Sequence, residues 1–305
     1  MLPSFMYLPN HNFRCFLILL AAMGFPASHA WADAVWDDPP APVTAEFSPL
    51  DLDRAILRGQ KPDTFDPLEA DRPDFTESPN TIDRGRLQLE SGWTYFHDQT
   101  GGLEFDAHRL PELLLRYGLT EKLELRLVWS GYMSYCQHGP QPGETLLLDG
   151  VTDMDVGCKL KISKQSGWRP ESALIACVTA PVGATAWTSS RVDTYLTYNY
   201  GWDITEQIFI GGSTGTWWTG YQGDHITTMY QSATLGMGLT ERLGAFFEWY
   251  VLIFDGGQDN RPDHFLDTGI TYLVTEDFQL DWRIGAGLSE SAEDLFTGAG
   301  FAVRW

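Results

Sequence analysis

From Arg86 to the terminal Trp305, apolar and polar residues alternate in runs of about ten. Leu87, Leu89, Trp93 and Tyr95 alternate with Gln88, Glu90 and Thr94, and Leu123, Leu125 and Leu127 with Glu124 and Arg126. Near the end, Phe278, Leu280, Trp282 and Ile284 alternate with Gln279, Asp281 and Arg283. A period of two means strands with one apolar and one polar face. Strands of soluble sheets are typically about five or six residues long, whereas about nine to eleven cross a bilayer at a tilt. The alternation therefore predicts an all-β chain, an antiparallel transmembrane β-barrel with lipid outside and a polar lumen.

Punctuation supports this reading. Leu119-Thr120-Glu121, Ile204-Thr205-Glu206, Leu239-Thr240-Glu241 and Val274-Thr275-Glu276 repeat one short turn, and Ser163–Arg169 is a fifth. Longer polar links lie between them: 97–102, 133–150, 181–193, 219–224, 255–263 and 289–294. Short turns on one side and long loops on the other are the asymmetry of an outer-membrane barrel. Strand starts are expected near residues 86, 105, 123, 151, 171, 194, 207, 226, 243, 264, 278 and 295, about 12 strands in all. The last strand carries Phe301, Val303 and Trp305, expected as the signal that barrel-assembly machinery reads. Pro111 falls inside the second strand and predicts a bulge there.

The first 85 residues have another texture. Arg14, the apolar run Cys15–Phe25, Pro26 and Ser28-His29-Ala30 make residues 1–30 a signal peptide, too short in its apolar part to span a bilayer. Residues 31–85 hold eight of the 17 prolines, 13 acidic and five basic residues, and no sustained period. Such a stretch is expected as a flexible, acidic, Pro-rich periplasmic arm. The barrel is then 86–305. Removing the leader leaves Cys136, Cys158 and Cys177, an odd count that argues against a disulfide framework, although Cys158 and Cys177 could face each other across a hairpin.

A formal net charge of −21 argues against nucleic acid as a partner. No phosphate-binding loop, nucleophile elbow or paired metal-ligand motif stands out, so neither enzyme activity nor a cofactor or metal is expected. The chemistry sits on the polar face of the strands. Glu90, Glu112, Arg116, Glu124, Arg126, Lys159, Lys161, Glu248, Asp281 and Arg283 are expected to line the lumen, with Asp267 and Arg304 beside them. Arg116 and Glu124 flank the first repeated turn and can pair across it.

The runs Asp71-Arg72-Pro73-Asp74-Phe75-Thr76-Glu77-Ser78-Pro79-Asn80, Gly85-Arg86-Leu87-Gln88-Leu89-Glu90-Ser91-Gly92 and Pro111-Glu112-Leu113-Leu114-Leu115-Arg116-Tyr117-Gly118 resemble the family named for the MetA pathway of phenol degradation. That resemblance implies an outer-membrane barrel of a diderm bacterium. It also implies a transporter or passive channel for small, aromatic or hydrophobic molecules. The alternative is a structural or surface-interaction barrel with a closed lumen. Expected partners are outer-membrane lipid, the assembly machinery and a small-molecule solute. Asp71, Arg72, Asp74, Phe75 and Glu77 form an acidic motif with one aromatic, shortly before the first strand. It is expected to enter the lumen as a plug by pairing with cations there; the alternative is a linker whose charges only keep it solvated.

Overall fold

The structure, a computed structural model, describes residues 67–305 apart from 142, 222, 223 and 257–260. The expected signal peptide and residues 31–66 of the expected arm lie outside the described residues. Fourteen strand segments are described: β1 Leu87–Thr100, β2 Leu103–Thr120, β3 Leu123–Trp129, β4 Tyr132–His138, β5 Thr145–Val151, β6 Met154–Ser163 and β7 Glu171–Ala180. The ring continues with β8 Thr194–Thr205, β9 Ile208–Tyr221, β10 Asp224–Gly238, β11 Leu243–Asp255, β12 Asp263–Thr275, β13 Phe278–Gly287 and β14 Leu295–Arg304. All pair antiparallel, and β1 pairs with both β2 and β14, which closes the sheet. Both β3 and β4 lie along β2, and β6 and β5 lie along β3 and β4 respectively. Each of these pairs is one interrupted strand, so the barrel is closed and has 12 strands.

The repeated Thr-Glu turns have a common cause. Thr120 Oγ1 accepts the amides of Lys122 at 3.2 Å and Leu123 at 3.0 Å. Thr205 and Thr240 do the same for the two amides that follow their turns, and Thr275 accepts that of Asp277. A side-chain oxygen thus satisfies donors that the reversing strand leaves open.

The interruption of the third strand also has a physical source. Pro111 has no N–H to give to the ladder. Opposite it, the β1–β2 register shifts between Gly92 and Thr94, the bulge expected there. On the other side the chain steps past Pro111 through Ser130-Gly131. Gly131 has φ +85°, and a Cβ on it would lie 2.2 Å from the Pro111 carbonyl oxygen. Only glycine fits this crossing.

Two sequence readings need correction. The link 133–150, expected as the longest loop, holds β4 and β5 as a paired hairpin. The step at Ser130-Gly131 shifts the phase of the alternation. Beyond it, Met133 and Tyr135 turn inward while Ser134 and Cys136 turn outward, so neither face is purely apolar. Cys158 and Cys177 do not face each other. Cys158 stands opposite Ala176 and Cys177 opposite Gly157, on opposite faces of the sheet, and the three described cysteines are free.

The outward face is apolar along the middle of the strands. Leu125, Leu160, Ile210, Met229, Phe247, Ile270, Leu280 and Trp282 are all exposed. Such a continuous apolar band needs lipid around it. The buried core lies inside the ring. Toward the long loops it is aromatic, with Phe96, Phe105, Tyr135, Trp187, Tyr230, Phe254, Phe265 and Phe296 in one cluster.

Candidate functional site

Toward the short turns the ring interior is charged. Strand parity turns Glu90 (β1), Arg116 (β2), Glu124 and Arg126 (β3), Lys159 (β6), Glu248 (β11) and Asp281 (β13) inward, and all are buried. Buried charges are costly unless paired and hydrogen-bonded. Residues 67–85, the end of the expected arm, run through this space and supply the partners.

Asp71 takes the cations. It accepts from Arg126 Nη1 at 2.5 Å and from Lys159 Nζ at 2.8 and 2.9 Å, and Arg116 Nη1 lies 3.5 Å away. Arg116 in turn donates to Glu124 at 2.8 and 2.9 Å and to Glu90 at 3.1 Å, so the Arg116–Glu124 pair of the sequence reading is present. Glu77 accepts from Arg126 Nη2 at 3.0 Å. Lys161 donates to Asn80 Oδ1 at 2.7 Å.

Arg72 reaches the opposite wall. Its guanidinium donates to Glu112 at 2.8 Å and Asp281 at 3.2 Å. The strands leave it a notch: Gly92 and Gly300 are cross-strand partners, and a Cβ on either would come within 2.3–2.5 Å of the Arg72 guanidinium. Arg283 donates to the Pro73 carbonyl at 2.8 Å and stacks over Phe296, its carbon 5.5 Å from the ring centre.

Two carboxylates read the backbone of the segment. Glu90 accepts the amides of Asp71 and Arg72 at 3.0–3.1 Å. Glu248 accepts those of Phe75 at 2.6 Å and Thr76 at 2.8 Å, and also the Thr76 hydroxyl. Such charge-assisted bonds are roughly twice as strong as neutral ones. Phe75 then stacks on Tyr250 with centroids 4.3 Å apart and meets Tyr230 edge-on at 5.4 Å.

The acids of the segment sit in opposed environments. Burial alone would push the Asp71 carboxyl up, but Arg116, Lys159 and Arg126 hold it well below the ordinary carboxylate range. Asp74 is pushed well above that range, first by burial and then by Asp267 beside it. Asp71 is therefore an anion at neutral pH, while Asp74 is harder to ionise than an ordinary aspartate.

Above Phe75 a cavity of about 510 Å³ opens toward the long loops. Phe96, Trp187, Trp217, Tyr250, Phe265 and Phe296 line it, and Arg72, Asp74 and Phe75 form its floor. Trp187 comes from the link 181–193, which folds inward over Tyr135 at 6.3 Å. This volume lies in the range of small-molecule sites, about 300–1,000 Å³.

All ten residues expected in the lumen lie in the ring, and Glu112, Lys161 and Arg283 keep partial exposure. Phe301 and Val303 pair with Ser91 and Leu89, and the Trp305 amide donates to Leu87 O at 2.8 Å. The sequence reading missed Thr76, the Gly92–Gly300 notch and the inward aromatics. Parity could have found the last: Phe96 shares a face with Glu90, and Tyr250 with Glu248.

The family model described as "Putative MetA-pathway of phenol degradation" matches residues 70–305, which takes in most of the lumenal segment as well as the strands. No curated protein matches the sequence. The chain is similar to an outer membrane channel from Pseudomonas putida F1, at 14% identity and a TM-score of 0.54, over 78% of this chain and 100% of that one. It is also similar to the translocator domain of the autotransporter NalP from Neisseria meningitidis, at 10% identity and a TM-score of 0.51, over 72% of this chain and 88% of that one. Both likenesses are of fold.

Proposed function

We propose that this chain, which belongs to the family named for the MetA pathway of phenol degradation, is an outer-membrane channel for small aromatic molecules, held shut by its own segment 67–85. The carrying observation is one continuous stack: an aromatic cavity of about 510 Å³ that ends on Phe75, a residue of the segment itself. A planar solute entering from the loops meets ring faces and edges, which bind aromatics by offset and T-shaped contact. Its way onward is blocked by the Asp71–Arg116–Arg126–Lys159 cluster. In this reading residues 1–30 deliver the chain to the periplasm, and Phe301, Val303 and Trp305 present it to the assembly machinery.

The buried ion-pair network also favours a second reading, a structural barrel whose lumen never opens. Bilayer conductance separates the two. Full-length protein is expected to be nearly silent, and a variant lacking residues 67–80 to conduct. Loaded vesicles carrying that variant should pass benzoate faster than a sugar of similar size. A folded but silent deletion variant would leave only the closed barrel.

A further inference from the structure

The outer wall of the first strands carries a second constellation, which the lumen does not use. Burial of Phe96, Phe105, Ala107 and Tyr135 fixes the inward parity of β1, β2 and β4 near the long loops. By alternation His97, Glu104, Asp106, Cys136 and His138 all point outward. The register then lays them side by side. His97 is the cross-strand partner of Asp106, Asp106 of Cys136, and Glu104 of His138. His97 Nδ1 lies 3.0 Å from Asp106 Oδ1, and Cys136 Sγ lies 3.5 Å from His138 Nε2. One donor atom from each of His97, Glu104 and Asp106 falls within 4.8 Å of the others. Cys136 is a free thiol.

We propose that this patch is a binding site for a divalent first-row transition ion of the Zn²⁺ class, with His97, Asp106 and Glu104 as its core ligands and His138 or Cys136 completing the shell. Imidazole, carboxylate and thiolate are the donors that such ions take, at about 2.0–2.3 Å, so ligand atoms of one ion stand about 3–4 Å apart. Hard cations prefer oxygen shells, and the two imidazoles and the thiol argue against Ca²⁺ or Mg²⁺. The donors come from three paired strands, so little order is lost when they converge. A bound ion would tie β1, β2 and β4 together on the loop side. Trp93 and Tyr95, packed around His108 just below, mark the wall beneath it as a membrane-interface belt.

The test uses full-length folded protein in detergent, titrated with Zn²⁺ and, as an optical probe, with Co²⁺. Saturable one-to-one binding is expected. It should weaken by about tenfold or more in His97→Ala and in Asp106→Asn. Cys136→Ser should remove any thiolate-to-cobalt absorption, and His138→Ala should weaken binding if the sulfur band is absent. All four side chains are at least partly exposed, so the variants should keep wild-type heat-modifiable migration. Three results would overturn the proposal: no saturable binding, unchanged affinity in His97→Ala, or Ca²⁺ bound more tightly than Zn²⁺. In each case His97 and Asp106 are only a surface hydrogen-bonded pair.

Discussion

Asp71 and Asp74 stand three residues apart in one segment and answer opposite demands. Asp71 faces Arg116, Arg126 and Lys159, whereas Asp74 faces Asp267 and Glu248 with Arg283 as its nearby cation. Removing one partner of a buried ion pair costs about 3–5 kcal/mol. Asp71→Asn is therefore expected to undock the segment and raise conductance at every pH, while Asp74→Asn leaves the channel closed. The pH dependence follows from the directions. Asp71 is depressed, so its contribution holds above its ordinary value of 3.8 and is lost only as pH falls through its lowered value. Asp74 is raised, so the docked state holds a proton that the undocked state lacks between the ordinary and the raised value. Docking strengthens as pH falls through that window. Single-channel records should show wild-type openings becoming rarer as pH falls toward the ordinary carboxylate range, with a smaller change in Asp74→Asn, where the raised Glu77 of the same segment still titrates. Openings that become commoner on acidification would contradict this assignment.

Among the strands, the two faces of β3 predict different damage. Leu125→Arg puts a cation into lipid and should cost about 2–4 kcal/mol at mid-bilayer. By parity alone, arginine at the inward Glu124 would be milder. Glu124, however, accepts from Arg116, Arg126 and the Ile82 amide. Glu124→Arg should thus also lower the temperature at which the heat-modifiable form is lost. Gly131→Ala should do so as well, because it meets Pro111 and forces a positive φ, about 1–2 kcal/mol for the conformation alone. An unchanged transition in Gly131→Ala would mean that the crossing relaxes. Strand positions were legible because most strands keep a strict period: β3, β7, β8, β11, β13 and β14 begin at the residues expected. The hairpin β4–β5 was hidden by the phase shift at Gly131. The lumenal motif was legible as chemistry, an acidic run with one aromatic, but the Gly92–Gly300 notch depends on register. The outer patch is illegible for the same reason, since residues 97, 104, 106, 136 and 138 meet only once three strands are aligned.

For the molecule as a whole, closure rests on the β1–β14 seam, where the Trp305 amide donates to Leu87 O and the Leu87 amide returns a bond to Trp305 O. A barrel left open there would present unpaired amides to lipid. Deletion of Trp305, or polar residues at Phe301 and Val303, should cut the heat-modifiable fraction in outer-membrane preparations, and wild-type levels would argue against both closure and targeting roles. The seam also fixes how the lumenal segment behaves, because Glu77 precedes Leu87 by only a short stretch of chain. In the proposed channel, a blocker on so short a tether would act at an effective concentration of the order of millimolar. A solute present at micromolar levels competes poorly against it. Uptake would then follow the fraction of time the tethered blocker spends released, and each 1.4 kcal/mol or so taken from its docking would raise the flux about tenfold. In that channel, permeability would be a property that single substitutions in the tether's contacts tune in steps, without any change in the width of the ring.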